Sequence, residues 1–292
     1  MSGAPAKPGA AAPEVGGPLL EVRDLVVEYA TANGKVRAVD GVGFSVVKGG
    51  CLAVVGESGC GKSTIARALV RLLTPTSGEV LLDGPAGRQD LARMNERRLR
   101  PIRSRIQMVF QDPYGSLDPR MTAADIVAEP LKLRGVRAKA DRERAAADLL
   151  DRVGLPSSAL QRRPAEFSGG QRQRIGIARA LASRPEVLVC DEATSALDVS
   201  VQAQVLALLN ELRRESGLTY VFISHNLGVV REVSDEVLVM RAGRVVEHGP
   251  TATVLASPRE PYTRALRAAA LDPTTMRGRK PRDVLATAKG AP

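Results

Sequence analysis

"CLAVVGESGCGKSTIARALVRLL", residues 51–73, passes within a few positions from a buried-strand pattern through glycines into a helix pattern. Cys51 to Val55 is an apolar run without alternation, which suits a strand covered on both faces, as in a parallel sheet between helices. From Lys62 onward, Ile65, Leu69, Leu72 and Leu73 recur at helical spacing. Between the two lies Gly56-x-x-x-x-Gly61-Lys62-Ser63, the pattern of a phosphate-binding loop. Gly56, Gly59 and Gly61, with Glu57, Ser58 and Cys60 between them, allow a backbone curl whose N–H groups converge inward. The helix start beneath, from Lys62 through Thr64, adds partial positive charge and more free donors. Lys62 can then reach the outer phosphates, and the Ser63 hydroxyl can take a magnesium position. The stretch predicts a nucleoside triphosphate site. It does not distinguish a kinase from a switch or a motor.

The chain of 292 residues, 44% hydrophobic, is long enough for one large α/β domain or two smaller ones. No apolar run approaches the roughly 18 residues that suggest a membrane span. Residues 1–18, MSGAPAKPGAAAPEVGGP, lack the apolar centre of a secretory signal and read as a disordered leader. Cys51, Cys60 and Cys190 have no metal spacing, so a reduced cytosolic setting without disulfides is expected.

The net charge of +10 is partly local: residues 88–105 hold seven arginines against Asp90 and Glu96. No aromatic residue interleaves with them, so a base-stacking surface is not suggested. Solvated helix faces are the plain reading, with anionic headgroups or nucleic acid as alternatives.

Strands are expected at 19–27 and 42–47, flanking a turn with Asn33, Gly34 and Lys35, then at 79–82 and 105–110. From Pro113 to about Arg163 the pattern turns Ala-, Leu- and Arg-rich and helical, broken by Pro130, Gly135 and Gly154. This block, about 113–170, reads as a helical insertion in the α/β domain. Strand-like runs return at 187–190, 219–223 and 236–240 with helices between, which implies a mainly parallel sheet. The domain is placed at 19–270, followed by a loose basic tail at 271–292.

"EVLVCDE", residues 186–192, is a buried apolar strand ending in two carboxylates, a costly arrangement unless they meet a cation or substrate. Asp191 fits a magnesium partner, and Glu192 then adjoins an attacking water as general base or water-orienting group. A helix cap with acids at its positive end is the simpler alternative. In "EFSGGQRQRIGIARAL", residues 166–181, Ser168, Gly169 and Gly170 precede a helix expected to begin near Gln171. Alone, that stretch suits a simple helix cap equally well. As a second anion grip it is surplus for one triphosphate, unless each grip faces the nucleotide of another copy.

The set Gly56–Thr64, Gln111 in VFQDP, FSGGQ, VLVCDE, SALD and ISHN resembles an ABC-type ATPase from about Leu19 to beyond His248. The resemblance implies that fold, with an antiparallel N-terminal β portion, and hydrolysis of ATP with Mg2+. It implies that Tyr29 stacks on adenine, although an aromatic at a strand end needs no such role. It implies that Gln111 contacts magnesium and the attacking water, and opens the helical block that meets a membrane partner. It assigns Ser168 and Gly170, flanked by Gly169 and Gln171, to the γ-phosphate of the opposite subunit. Asp198 would couple the two sites, and His225 would contact the γ-phosphate and orient the water. His248 receives no role.

Three stretches, VFQDPYGSLDPRMT, ALDVSVQAQVLALLNEL and SPREPYTRAL, resemble the branch of the family that imports peptides, nickel and other small solutes. Glu260 and Asn226 depart from that branch, and the tail carries no cysteine. The expected partners are permease subunits, a second, identical or homologous ATPase, and indirectly an extracellular solute-binding protein. Nucleic acid is not expected. The expected place is the cytoplasmic face of the membrane; an exporter motor and a soluble ATPase acting on nucleic acid are the alternatives.

Overall fold

The computed structural model describes residues 17–271 apart from 33, 86, 113, 114 and 196. The expected leader and tail therefore lie almost wholly outside the described residues, as do Asn33 and Pro113.

The chain opens with a hairpin of β1 (Pro18–Thr31) and β2 (Gly34–Val47), and β3 (Cys51–Gly56) then starts a different sheet. α1 (Lys62–Leu69) follows the phosphate loop, and β4 (Ser77–Leu82) and β5 (Gln89–Asp90) return to the first sheet. That antiparallel sheet runs β2-β1-β4-β5. The hairpin strands extend well beyond the expected 19–27 and 42–47, with Tyr29 paired to Val36 near the tip. Both of those residues are exposed. The outer half lacks a buried face, so it carries no alternating signal to read.

α2 (Glu96–Ile102) is capped by the Asn95 side chain, which accepts from the Arg98 N–H. β6 (Ile106–Val109), α3 (Ala123–Leu133) and α4 (Lys139–Arg152) follow. Both of these helices fall in the expected insertion, but Pro130 does not break the first of them; it lies inside α3. It stands within the last turn, where its ring removes one helical hydrogen bond while Leu131 still packs inward. α5 (Gly169–Ala182) begins at Gly169, two residues before the expected Gln171, because Ser168 is its cap.

β7 (Val187–Asp191), α6 (Val199–Ser216), β8 (Thr219–Ile223), α7 (Leu227–Val233) and β9 (Glu236–Arg241) alternate as expected. β10 (Arg244–Pro250), α8 (Thr251–Ala256) and α9 (Pro261–Leu271) complete the chain. The second sheet runs β10-β9-β3-β8-β7-β6, parallel from β9 to β6, with β10 antiparallel at one edge. β10 had no sequence signal, since an edge strand with few buried residues shows neither alternation nor an apolar run.

Successive residues of the parallel strands feed opposite faces. Val187, Val189, Val221 and Ile223 pack with α1 and the antiparallel sheet. Leu188, Cys190, Tyr220 and Phe222 pack with α5, α6 and the helical block. The three cysteines are free and buried, and burial pushes the Cys51 thiol up to about 12. Of the seven arginines at 88–105, Arg88, Arg93, Arg103 and Arg105 pair with Glu21, Glu79, Glu96 and Glu186. More than half of that basic cluster is thus paired within the chain, mostly at the surface where such pairs add little stability.

The parallel arrangement has one consequence for the site. β3, β6, β7 and β8 all end on the same rim, where Gly56 and Asp191 close their strands and Gln111 and His225 follow theirs. This is the rim at which open parallel sheets bind ligands.

Ile177 is wholly buried where α5 meets the sheet. Ile177→Ala should cost about 2–5 kcal/mol of unfolding free energy, read from urea denaturation. A cost near zero would place α5 outside the core.

Candidate functional site

Two glycines make the loop possible. Gly56 has φ +151 and would drive a Cβ into the Met240 carbonyl; Gly61 has φ +107 and would meet the Ala38 carbonyl. Both positions exclude any side chain on conformational and steric grounds together. Gly61 is also the first residue of the α1 boundary, and no side chain caps that helix. Its first amides therefore face the loop without a partner from the side chains, as an anion site requires.

Lys62 is only 4% exposed. Its ammonium donates to the Gly56 carbonyl at 2.9 Å and the Glu57 carbonyl at 2.8 Å, with Cys60 Sγ at 3.9 Å. The loop's own carbonyls thus hold the cation expected to reach phosphate. Next to it, Ser63 Oγ donates to Asp191 Oδ1 at 2.9 Å. Burial raises the Asp191 carboxyl above its usual range, against the opposing hydrogen bond from Ser63.

Glu192 collects the groups expected to handle water. Its Oε2 accepts from Gln111 Nε2 at 3.0 Å and lies 3.3 Å from His225 Nδ1. The backbone of Glu192 has φ +47, a left-handed conformation uncommon for a residue with a side chain. Its N–H donates to the Ile223 carbonyl at 3.0 Å, so β8 fixes the turn that aims the carboxylate. Tyr29 Oη is 3.5 Å from Thr64 Oγ1, which places that exposed ring beside the loop. A recess of about 220 Å³ is lined by Ala38, Ser58, Gly59, Gly61, Lys62, Ser63, Thr64, Gln111 and Glu192.

The second grip lies elsewhere. Ser168 Oγ accepts from the Gln171 N–H at 3.3 Å, and the Ser168 N–H donates to Gln171 Oε1 at 3.0 Å. This reciprocal box is the helix cap that the sequence alone left open. Gly169 approaches Leu197, and a Cβ on Gly170 would collide with Val201 of α6. Asp198 caps α6, accepting from the Val201 N–H at 3.0 Å and Ser200 Oγ at 2.8 Å. Those bonds hold its carboxyl below the usual range.

The expected site residues therefore fall into two groups. The loop, Gln111 and Glu192 line one recess, with Asp191 bonded to Ser63 and His225 beside Glu192, whereas Ser168 to Gln171 stand with Asp198 at the α5–α6 corner. Ser195 was overlooked as a contact: its hydroxyl lies 3.5 Å from Gln111 Nε2 and donates to the Glu192 carbonyl at 2.9 Å. Ala38 was also overlooked, since it contributes only backbone and no side-chain chemistry to read. His248 pairs with Glu236 at 3.1 Å.

Among the described residues, no cluster of three or more His, Cys, Asp or Glu could hold a metal. The local donors are one buried carboxylate, a hydroxyl and a carboxamide. That sparse oxygen set suits magnesium, which keeps waters and takes phosphate oxygens.

A family model described as "ABC transporter" matches residues 39–195. A probable peptide ABC transporter ATP-binding protein of Sinorhizobium fredii is 50% identical over 268 residues, covering 89% of this chain and 75% of its own. The oligopeptide transport ATP-binding protein OppF of Bacillus subtilis is 48% identical over 249 residues, covering 85% and 81%. Among solved structures, a dimeric ATP-binding cassette in a post-hydrolysis state with ADP and Pi superposes with a TM-score of 0.72. That match has 29% identity and covers 80% of this chain and 98% of the other. A cbiO1 chain from Clostridium perfringens, part of an ABC transporter complex, gives a TM-score of 0.71 at 26% identity, covering 92% and 98%.

The raised Asp191 carboxyl carries a stability consequence. The folded state binds that proton more tightly than the unfolded chain, so ionisation destabilises the ligand-free fold as pH rises through the carboxylate range. Asp191→Asn should raise the melting temperature of the ligand-free protein at neutral pH. The gain should shrink as pH falls toward about 4, where the unfolded Asp is itself protonated. A melting temperature lowered at neutral pH would contradict the assignment.

Proposed function

The chain belongs to the ABC transporter family, and on that footing we propose that it is the ATP-hydrolysing subunit of a membrane importer for peptides or related small solutes. The observation that carries this reading is the recess itself, where a phosphate loop meets a carboxylate held by Gln111 and His225. The relatives' names, peptide and oligopeptide transport among them, support the class of cargo.

The family resemblance suggests the roles, and the geometry supports them. Lys62 leaves the Gly56 and Glu57 carbonyls for the β- and γ-phosphates, while the N–H groups from Gly59 to Thr64 wrap them. Tyr29, above Thr64, stacks on the adenine. Ser63, Asp191 and Gln111 would hold magnesium, which when bound neutralises charge developing on the phosphate oxygens. One oxygen of Glu192 is engaged by Gln111 and His225, which leaves the other to take the proton of an attacking water. His225, exposed at the end of β8, reaches outward toward the γ-phosphate. The buried positions of Lys62 and Asp191 strengthen both electrostatic contacts.

Ser168, Gly169, Gly170 and Gln171 do not line the recess of their own chain. In the proposed working state they close over the recess of a second, identical or homologous subunit, with Asp198 coupling the sites. Nucleotide then glues the pair, and loss of the γ-phosphate opens it.

A groove of about 840 Å³ between the sheet and the helical block supports the permease contact. Phe110, Glu129, Leu133 and Arg179 line it, and Ser63, Gln111 and Asp191 reach its wall. Gln111 also lines the nucleotide recess. Docking of a permease segment would therefore press on the group that holds Glu192. No helix among the described residues is long and apolar enough to cross a membrane, so attachment at the cytoplasmic face would be through the permease. An extracellular solute-binding protein would deliver the cargo.

Two variants test the reading. Glu192→Gln should lower turnover by about 10²–10⁴-fold, leave ATP binding intact and trap a closed dimer on size-exclusion chromatography. Unchanged turnover would remove Glu192 from the chemistry. Ser168→Arg should abolish hydrolysis while the isolated monomer binds ATP as before. Weakened monomer binding would instead put Ser168 on its own chain's nucleotide.

A further inference from the structure

The C-terminal helix touches the phosphate loop through one hydroxyl. The Glu57 N–H donates to Tyr262 Oη at 3.2 Å, across 205 positions of sequence. The same peptide unit carries the Gly56 carbonyl, which accepts from Lys62 Nζ at 2.9 Å. A single peptide plane is thus gripped on opposite edges, by the Lys62 ammonium within the loop and by the Tyr262 phenol from outside.

The phenol is itself firmly placed. Tyr262 is 7% exposed and packs with Val55, Val230, Val239 and Val254. The Arg241 guanidinium lies 5.0 Å over its ring. Burial pushes the phenol up to about 12, so it stays a neutral hydroxyl. The approach to α9 is pinned to β10, because Glu247 accepts from the N–H groups of Arg259 at 2.8 Å and Glu260 at 3.3 Å. Arg267 Nη1 ties α9 back to the Ala256 carbonyl at 2.7 Å. A hydrogen bond from such an anchor constrains the loop more than one from a mobile side chain.

The constraint matters when nucleotide binds. Lys62 must then give up the Gly56 carbonyl, and the peptide loses one of its two holds. Glycine at position 56 offers no Cβ to resist rotation of that plane. Resting on the ATPase reading above, we infer that Tyr262 is a positioning residue for the nucleotide site. Its hydroxyl fixes the Gly56–Glu57 peptide with the N–H outward, and so keeps the loop in its phosphate-binding shape after Lys62 departs.

Tyr262→Phe removes the hydroxyl and keeps the ring. In the full-length chain, ATP affinity is read by displacement of a fluorescent ATP analogue, and steady-state hydrolysis by phosphate release. The Kd and KM for ATP should each rise about 3- to 10-fold, the scale of one lost hydrogen bond, with kcat within about twofold of wild type. Leu266→Ala removes packing from the same helix without touching the hydroxyl. It should lower the melting temperature and leave the Kd for ATP unchanged. An unchanged Kd in Tyr262→Phe, or a fall in kcat at constant KM, would overturn the inference. So would an equal loss of affinity in both variants, which would assign the effect to helix packing. A wild-type chain that fails to bind ATP would overturn the ATPase reading itself, an outcome separate from these.

Discussion

The site depends on two charges buried before any ligand arrives. Lys62 and Asp191 are each 4% exposed; the hydrogen bonds of both go to neutral groups, while Arg67 and Lys62 act on the Asp191 carboxyl only through space and do not offset its burial. Carbonyl dipoles hold the ammonium and one hydroxyl donates to the carboxylate. Such partners reduce the desolvation cost without matching a full opposite charge. In the proposed complex, a magnesium-bound polyphosphate would supply opposite charge to both at once, negative toward Lys62 and positive toward Asp191. On the proposed reading, the burial cost of the Asp191 carboxylate in the ligand-free fold is one that the bound ligand would relieve.

Parallel strand order is what brings these charges together. The ends of β3 and β7 are separated by β8 alone, so the loop after one strand and the carboxylates after the other share a rim. This much is legible in the sequence, because a strand buried on both faces leaves a continuous apolar run and its end is marked by the first polar residue. VLVCDE and CLAVVG are both of that kind. The unread parts lacked that contrast. β10 lies on an edge, and the hairpin tip has no buried face. Pro130 reads as a breaker on propensity, yet near a helix end it removes little. Tyr262 is the instructive omission in the site. PYTRAL was noticed as a stretch, but no pattern in it says that a phenol will fold back onto Glu57.

The stretch FSGGQ shows how one sequence can satisfy two demands. Within its own chain Ser168 is an ordinary cap, and Gly170 is required by the contact with Val201. Neither fact speaks for a partner. The positive end of α5 nevertheless stands outside the lining of the chain's own recess, and its serine cap takes up the Gln171 amide.

Asp198 is the apparent obstacle, since an anion beside an anion grip should repel phosphate. Its bonds answer the objection. The carboxylate sits on the N-terminus of α6, where it accepts from Val201 and Ser200 and meets that helix's positive end. Its charge is partly offset by the α6 terminus. The corner thus presents two capped helix termini, one closed by a neutral serine box and the other by a carboxylate. In the proposed dimer, the serine-capped terminus would receive the γ-phosphate of the neighbour, and the carboxylate-capped one would hold the corner so that the phosphate's loss is felt by both chains.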